Sequence, residues 1–410
     1  MCTTINNFEQ FLHVFAQCAK ENKNENNLEL KEMDLNIEYI LSTACKQGVY
    51  EIIFPYIYEY KPDIGGYDIF LNNVVRSVQR NEFMLNMIET LENANIPCCI
   101  LKGISVARFY KNADYRISGD MDIYISKEHI KRCVGILKKH NFKVEPLGKM
   151  YHFEAKHPIG GLLEVHIDLH HSSSQELLFD NQHIEETFSE FLYNGRKFHT
   201  LGINDNAFYL FAHFVKHFVG FGAGIRQLMD FLLYIEYYYN DINWERLDQK
   251  LEKLRLKKMF YELLGVGVKY FNLNFCNYSA EQTQRILTDM EKGGLFGFED
   301  LDRKYFFDAF AARRTTMTKD RFEAFMSRNR KETLLQRFFP DKEKMVRAGY
   351  RYAQNEFLLP LSWLHRFLNL SVSVILHEKS LKGMLMYETS KESNSTIEQR
   401  LKLMSDLEII

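Results

Sequence analysis

Apolar residues recur at helical spacing over residues 1–20 and 36–60, and the polar run between them, Glu21 to Glu32, reads as an exposed turn or loop. A stronger stripe follows over 74–95, where Val75, Val78, Phe83, Met84, Met87, Ile88 and Leu91 share one helix face. Ile96-Pro97 is expected to stop that helix, because proline cannot continue the hydrogen-bond ladder.

The period then shortens. Cys98 to Leu101 reads as a short buried strand ending at Lys102-Gly103, with a helix beginning near Ile104 and Ser105. A strand is expected over 121–125, and Ser126 as the cap of a helix running to about His140. Residues 142–147, 151–156 and 162–169 read as further strands, the last two joined by a His-Pro-Ile-Gly-Gly turn. From Asn204 the pattern is helical almost to the end. Asn204 or Asp205 is the expected cap, Gly220, Gly222 and Gly224 form a break, and a second helix covers 225–239. At least two more helices fall between 244 and 376. No internal repeat is visible.

These elements predict an α+β fold: a small mixed-sheet core with N-terminal helices and a large helical C-terminal domain. The expected division is 1–73 for the N-terminal helices, 74–203 for the α/β core, 204–385 for the helical domain and 386–410 for a loosely held polar tail.

Composition narrows the picture. In 410 residues, 46% are apolar, with 33 Phe and 23 Tyr, so the chain is a globular one with a full core. A formal charge of −2 with no block of Lys or Arg argues against an extended nucleic-acid surface. Seven scattered cysteines without CxxC spacing fit reduced thiols in a cytoplasmic protein better than a disulfide framework or a zinc ribbon. The first residues lack the pattern of a signal peptide. The most apolar stretch, 357–377, contains Pro360, His365, Arg366 and Asn369 and is too polar for a membrane span.

Chemistry concentrates in three places. In Arg116-Ile-Ser-Gly-Asp120-Met-Asp122-Ile-Tyr-Ile125, strand alternation puts Asp120 and Asp122 on one face, about 6–7 Å apart, while Met121, Ile123 and Ile125 turn to the core. Two carboxylates that close on an apolar sheet call for a cation between them, and a divalent metal with phosphate ligands answers that need. An exposed edge strand with two solvated acids is the bland alternative. In Glu164-Val-His166-Ile-Asp168-Leu-His170-His171, alternation places Glu164, His166, Asp168 and His170 on one face, so Glu164 supplies a third carboxylate if this strand lies beside the first. Asp168, His170 and His171 read as an ordinary polar strand face, their spacing matching no common zinc pattern. Finally, Lys102-Gly103 is a strand-to-helix turn where backbone N–H groups approach a ligand closely, although most such turns are only turns. His152 approaches the same face from the preceding strand. His213 and His217, at i, i+4, read as helix-packing residues, and Arg226 and Asp230 as an i, i+4 ion pair or as groups that position substrate.

Together, the helix ending Asn95-Ile-Pro97, then Ile100-Leu-Lys-Gly103, Tyr110, Arg116, Ser118-Gly-Asp-Met-Asp-Ile123 and Glu164-Val-His166 resemble the polymerase β-like nucleotidyltransferase superfamily. Within it they are similar to the uncharacterised nucleotidyltransferase family proteins of bacteria. Leu210-Phe-Ala-His213, His217, Arg226 and Asp230 resemble the helical region of that branch, as do Phe339-Pro340 and Leu358 to Trp363. The resemblance covers about 75–380 and rests chiefly on the carboxylates. It implies that Asp120, Asp122 and Glu164 are catalytic and hold two Mg²⁺ ions, with Mn²⁺ as an alternative. It also implies that Lys102, Gly103, Ser105, Arg116, Ser118 and Gly119 bind the nucleotide, with His166, His152, Arg226 and Asp230 behind them. One departure is that Ile104 follows Gly103 where the superfamily has Gly or Ser, leaving Ser105 to offer the hydroxyl.

The expected activity is therefore transfer of an NMP group from an NTP to an acceptor hydroxyl on a small molecule, sugar or protein. A catalytically weak nucleotide-binding scaffold of the same fold, and a metal-dependent hydrolase, are the competing expectations.

Overall fold

In the computed structural model, residues 6–20, 35–145, 152–169, 184–220, 222–294, 339, 342–347, 350–375, 399–400 and 402–409 are described. They fall into two units, one drawn from 1–299 with 402–409 and the other from 300–401.

The first unit opens with helices α1 (Asn7–Ala19), α2 (Ile37–Gln47), α3 (Tyr50–Tyr60) and α4 (Tyr67–Asn93). Asn6 caps α1 by accepting from the Glu9 N–H at 2.8 Å. The buried stripe of α4 is Met84, Leu85, Met87, Ile88 and Leu91, whereas Val75, expected in that stripe, is 43% exposed. The helix also ends before the expected Pro97. Asn95 takes the left-handed conformation (φ 54°), its N–H bonds Glu92 O, and the Ile96 N–H bonds Leu91 O. The carbonyls of the last turn are thus satisfied ahead of the proline.

A five-stranded mixed sheet carries the site. Its strands are β1 (Cys99–Ile100), β2 (Asp120–Tyr124), β3 (Lys143–Val144), β4 (His152–His157) and β5 (Gly161–His166), in the order β1-β2-β5-β4-β3. The β2–β5 pair is parallel and the others are antiparallel. A parallel neighbour needs a crossover, and helix α6 (Ile130–Lys139) with β3 and β4 supplies it. Ser126 makes no capping hydrogen bond at the start of this crossover; its hydroxyl donates to Glu185 instead, and a 3₁₀ turn leads into α6. Met121, Ile123, Leu163 and Val165 point to one face and pack with Leu85, Ile88, Leu91, Cys133 and Leu137 from α4 and α6. The opposite face is left to the alternate residues, Asp120, Asp122, Glu164 and His166.

A second sheet, β6 (Ser189–Tyr193) with β7 (Arg196–Thr200), is a hairpin closed by Asn194 and Gly195, both at positive φ. It had no counterpart among the expected strands, although Asn-Gly between two alternating runs is its sequence signal. Phe191, Tyr193 and Phe198 join the same core, and the Thr200 hydroxyl donates to Ile100 O at 2.8 Å.

Helices α7 (Ile203–Gly220), α8 (Ile225–Tyr237), α9 (Trp244–Lys253), α10 (Lys257–Phe271) and α11 (Thr283–Gly293) complete the unit. Because α7 begins at Ile203, Asn204 and Asp205 lie inside its first turn and do not cap it; Asn204 accepts from the Asn243 N–H at 2.7 Å. Residues 402–409 were expected in a loose tail. They bury Leu403, Met404 and Leu407, and Asp406 pairs with Arg285. The polar run before them hid an amphipathic turn. In the second unit, the described residues include helices Lys342–Arg347 and Leu359–Ile375, with Phe339 ringed by Trp363 and Phe367. Among the described residues no helix is long and apolar enough to cross a membrane.

Gly265 in α10 leaves almost no room for a side chain: a Cβ there would stand 1.6 Å from the backbone oxygen of Ser279. Neither atom belongs to a flexible side chain, so the helix and the 279 loop would have to separate. Gly265→Ala is expected to destabilise the protein by at least about 1–3 kcal/mol, the usual range for overpacking. Chemical denaturation checks this, and an unchanged midpoint would show that the loop yields freely.

Candidate active site

The parallel register of β2 and β5 sets Asp122 opposite Glu164, and the next same-face pair is Tyr124 opposite His166. On the far side of β5, β4 puts His152 opposite His166, with ring centroids 5.4 Å apart. Donor atoms of Asp122, Glu164 and His166 all lie within 4.8 Å of one another. His166 Nε2 is 3.0 Å from Asp122 Oδ1 and 3.7 Å from Glu164 Oε2. The histidine expected behind the carboxylates thus stands among them.

Asp120, two residues from Asp122 on the same face, is tied in through Lys102. The Lys102 ammonium lies 3.1 Å from Asp122 Oδ2 and 3.7 Å from Asp120 Oδ2. Two features hold its backbone: the Leu101 N–H bonds Asp122 O at 3.0 Å, and Gly103 turns the chain at φ 68°. A Cβ at Gly103 would meet Ser118 Oγ at 3.3 Å, so both backbone conformation and space favour glycine there. Gly103 leads into the short helix α5 (Ile104–Ala107), where the Ser105 hydroxyl is buried with no hydrogen-bond partner.

Electrostatics follow from this geometry. Burial would raise the Asp122 carboxyl, but the Lys102 ammonium and the His166 hydrogen bond overcome it and hold the group well below the usual carboxylate range. Burial works against the charged form of Lys102 as well, and Asp122 and Asp120 reverse that and raise its pKa. Glu164 goes the other way: burial and then the Asp122 charge push its carboxyl up. Burial, His166 and Lys216 together lower His152.

The approach to β2 is clamped. Arg226 donates to Ile117 O at 2.5 Å, Arg80 to the carbonyls of Ser118 and Gly119, and Arg116 Nη1 to Ser118 Oγ at 3.0 Å. Residues 117–119 are therefore held by three guanidinium groups. Arg116 also forks onto Asp230, with Nε to Oδ1 at 3.0 Å and Nη2 to Oδ2, and the Tyr110 hydroxyl donates to the same carboxylate at 2.8 Å. All three guanidinium nitrogens of Arg116 are thus engaged by protein. The expected Arg226–Asp230 pair along α8 is replaced by this buried cross-element pair, because a bidentate fork suits Arg116 better than one helical turn suits Arg226. Burial first and Arg116 second lower Arg226 to about 10.

Helix α7 contributes a face that the sequence patterns left as packing. Tyr209, His213 and His217 follow one another at i, i+4, i+8, and the His213 and His217 rings meet at 4.5 Å. Burial and then Asp122 and Glu164 raise the Tyr209 hydroxyl, while burial, Lys216 and Lys102 bring His217 down to about 3. The repeat of polar aromatic residues every fourth position was the available signal. Asp168 lies apart from the cluster, paired with Lys127 at 3.2 Å, and His170 and His171 lie outside the described residues.

Among solved structures, the chain is similar to a lincosamide antibiotic adenylyltransferase, LnuA, solved with lincomycin bound. The identity is 17%, the match covers 37% of this chain and 93% of that one, and the TM-score is 0.27. It is also similar to an antigenic nucleotidyltransferase-like protein from Paracoccidioides brasiliensis, at 16% identity, 47% and 91% coverage and a TM-score of 0.29. No curated protein matches it significantly in sequence. A family model described as an uncharacterised nucleotidyltransferase matches residues 68–272, half of the 410 residues and all of the carboxylate sheet, and the chain belongs to that family.

Proposed function

We propose that this protein transfers the NMP group of an NTP to a hydroxyl of a small molecule, sugar or protein and releases pyrophosphate, using Mg²⁺. The observation that carries the reading is the side-by-side setting of Asp122 and Glu164 on parallel strands, with Asp120 two residues away, in a member of a nucleotidyltransferase family. The donors suit a divalent cation. Asp122 Oδ2 is buried and, although 3.1 Å from the Lys102 ammonium, has no well-directed hydrogen bond. Asp122 and Glu164, with His166 or Asp120, would hold the metal, which when bound offsets charge on phosphate oxygens and makes the acceptor hydroxyl more acidic.

The chain's own groups then divide the work. Glu164, opposite Asp122 on the neighbouring parallel strand, is the group that takes the acceptor proton. The freed oxygen bonds to the α-phosphorus as the bond from that phosphorus to pyrophosphate breaks. Lys102 and the unmatched Ser105 hydroxyl offer donors to phosphate oxygens. Arg116, turned to Asp230 and Ser118, holds the turn before β2. The α7 face, with Tyr209, His213 and His217, is the second wall, against which the acceptor lies.

Incubation with each labelled NTP, Mg²⁺ and a cell extract, followed by identification of the labelled product, tests the activity. Absence of any nucleotidylated species across acceptors would count against it. Asp120→Ala with Asp122→Ala is expected to cut Mg²⁺-dependent turnover by about two to three orders of magnitude, the equivalent of the several kcal/mol that a metal supplies. Circular dichroism must show that the variant is folded; full turnover by a folded variant would place the chemistry elsewhere. Glu164→Gln is expected to lower kcat by about 10²–10⁴ while nucleotide affinity, read by calorimetry, stays within a few-fold. Equal losses in both would remove the base role.

A further inference from the structure

The ion that bridges Asp120 and Asp122 is the Lys102 ammonium, at 3.7 and 3.1 Å. A divalent cation held by Asp122 and Glu164 would have to stand within a few ångströms of the same point. Lys102 cannot leave by moving its backbone, which the Leu101 N–H to Asp122 O bond and the turn at Gly103 fix on both sides. Its four-carbon stem can swing, but the ammonium then needs another anion, since its side chain is only 18% exposed and water access is small.

On the proposed function given above, we infer that Lys102 is a gate on metal entry. While the ammonium lies between the carboxylates, it repels a bare divalent cation. A triphosphate that carries a divalent metal is net negative as a complex, and its phosphates would draw the ammonium off the aspartates and leave Asp122 and Glu164 to the metal. Metal and nucleotide therefore bind together and each strengthens the other, a reciprocity that linkage requires. Between turnovers the same ammonium returns and keeps the carboxylates neutralised, so the sheet does not depend on a resident ion. No bond is made or broken in this exchange.

Mn²⁺ serves as the probe, with its affinity for the full chain read by electron paramagnetic resonance or calorimetry. Measurements are made with and without an NTP analogue whose α,β-bridge is methylene. For the wild-type protein, Mn²⁺ affinity is expected to rise at least about tenfold when the analogue is present, within the usual range of coupling between sites. Lys102→Met is expected to bind Mn²⁺ alone about tenfold more tightly than wild type and to lose most of that coupling. Lys102→Arg keeps the charge and is expected to exclude the free metal as wild type does.

Mn²⁺ affinity of the wild type that is the same with and without nucleotide would overturn the gate, whether or not Lys102→Met folds. So would a folded Lys102→Met that binds free Mn²⁺ no better than wild type. If neither protein takes up Mn²⁺ under any condition, the metal site itself is wrong and the gate falls with it, a result distinct from tight, uncoupled binding.

Discussion

Everything at the polar face of this sheet depends on how carboxylate charge is neutralised there. Asp122 is 2% exposed, and an ionised carboxylate with so little water is costly by several kcal/mol unless charge and hydrogen bonds replace its hydration. The fold meets that cost with local geometry. Pairing of β1 with β2 carries the chain from Leu101, bonded to the Asp122 carbonyl, straight to Lys102, whose ammonium returns to the Asp122 side chain. His166 arrives from the other side through the parallel pairing of β5. Asp122 is thus held from both neighbouring strands, which is why its carboxyl lies far below the ordinary range although burial pushes it upward.

A second electrostatic device fixes where β2 begins. Three guanidinium groups, from α4, from the turn itself and from α8, converge on residues 117–119. Arginine suits this work because its planar fork binds carbonyl and carboxylate oxygens in fixed directions. The Arg116–Asp230 pair then ties α8 to the strand. Such a buried pair contributes little net stability against an apolar replacement, yet it permits few alternative arrangements. Its value here is directional: it fixes the helices relative to the strand that bears the acids.

Much of this was legible in the sequence, and the gaps have physical causes. Period-two alternation sufficed to put Asp120 with Asp122, and Glu164 with His166, because strand geometry leaves no third choice of side. The neighbourhood of the two strands was not determined by either strand alone, since a parallel pair is joined by a crossover of many residues. Charge alone called for a divalent metal between the aspartates, but the reach of Lys102 to both carboxylates was hidden in a turn that looks like any other Lys-Gly. Arg116 and Asp230 are 114 positions apart, so the i, i+4 spacing of Arg226 and Asp230 offered a plausible but mistaken partner. The Asn194-Gly195 hairpin and the left-handed stop at Asn95 differ in that their signals are local, an Asn-Gly pair and an Asn two residues before a proline.

The same alternation that exposes the acids also protects their alignment. Ile123 and Val165 flank Asp122 and Glu164 in sequence, face the opposite side, and are fully buried against α4 and α6. A slip of one residue between β2 and β5 would drive the carboxylates into that apolar layer and expose the aliphatic side chains, so the core resists it strongly. Substitutions on the polar face leave these apolar contacts untouched. The hydrophobic core therefore sets the Asp122–Glu164 adjacency, while Lys102, His166 and the α7 residues are free to determine what that adjacency binds.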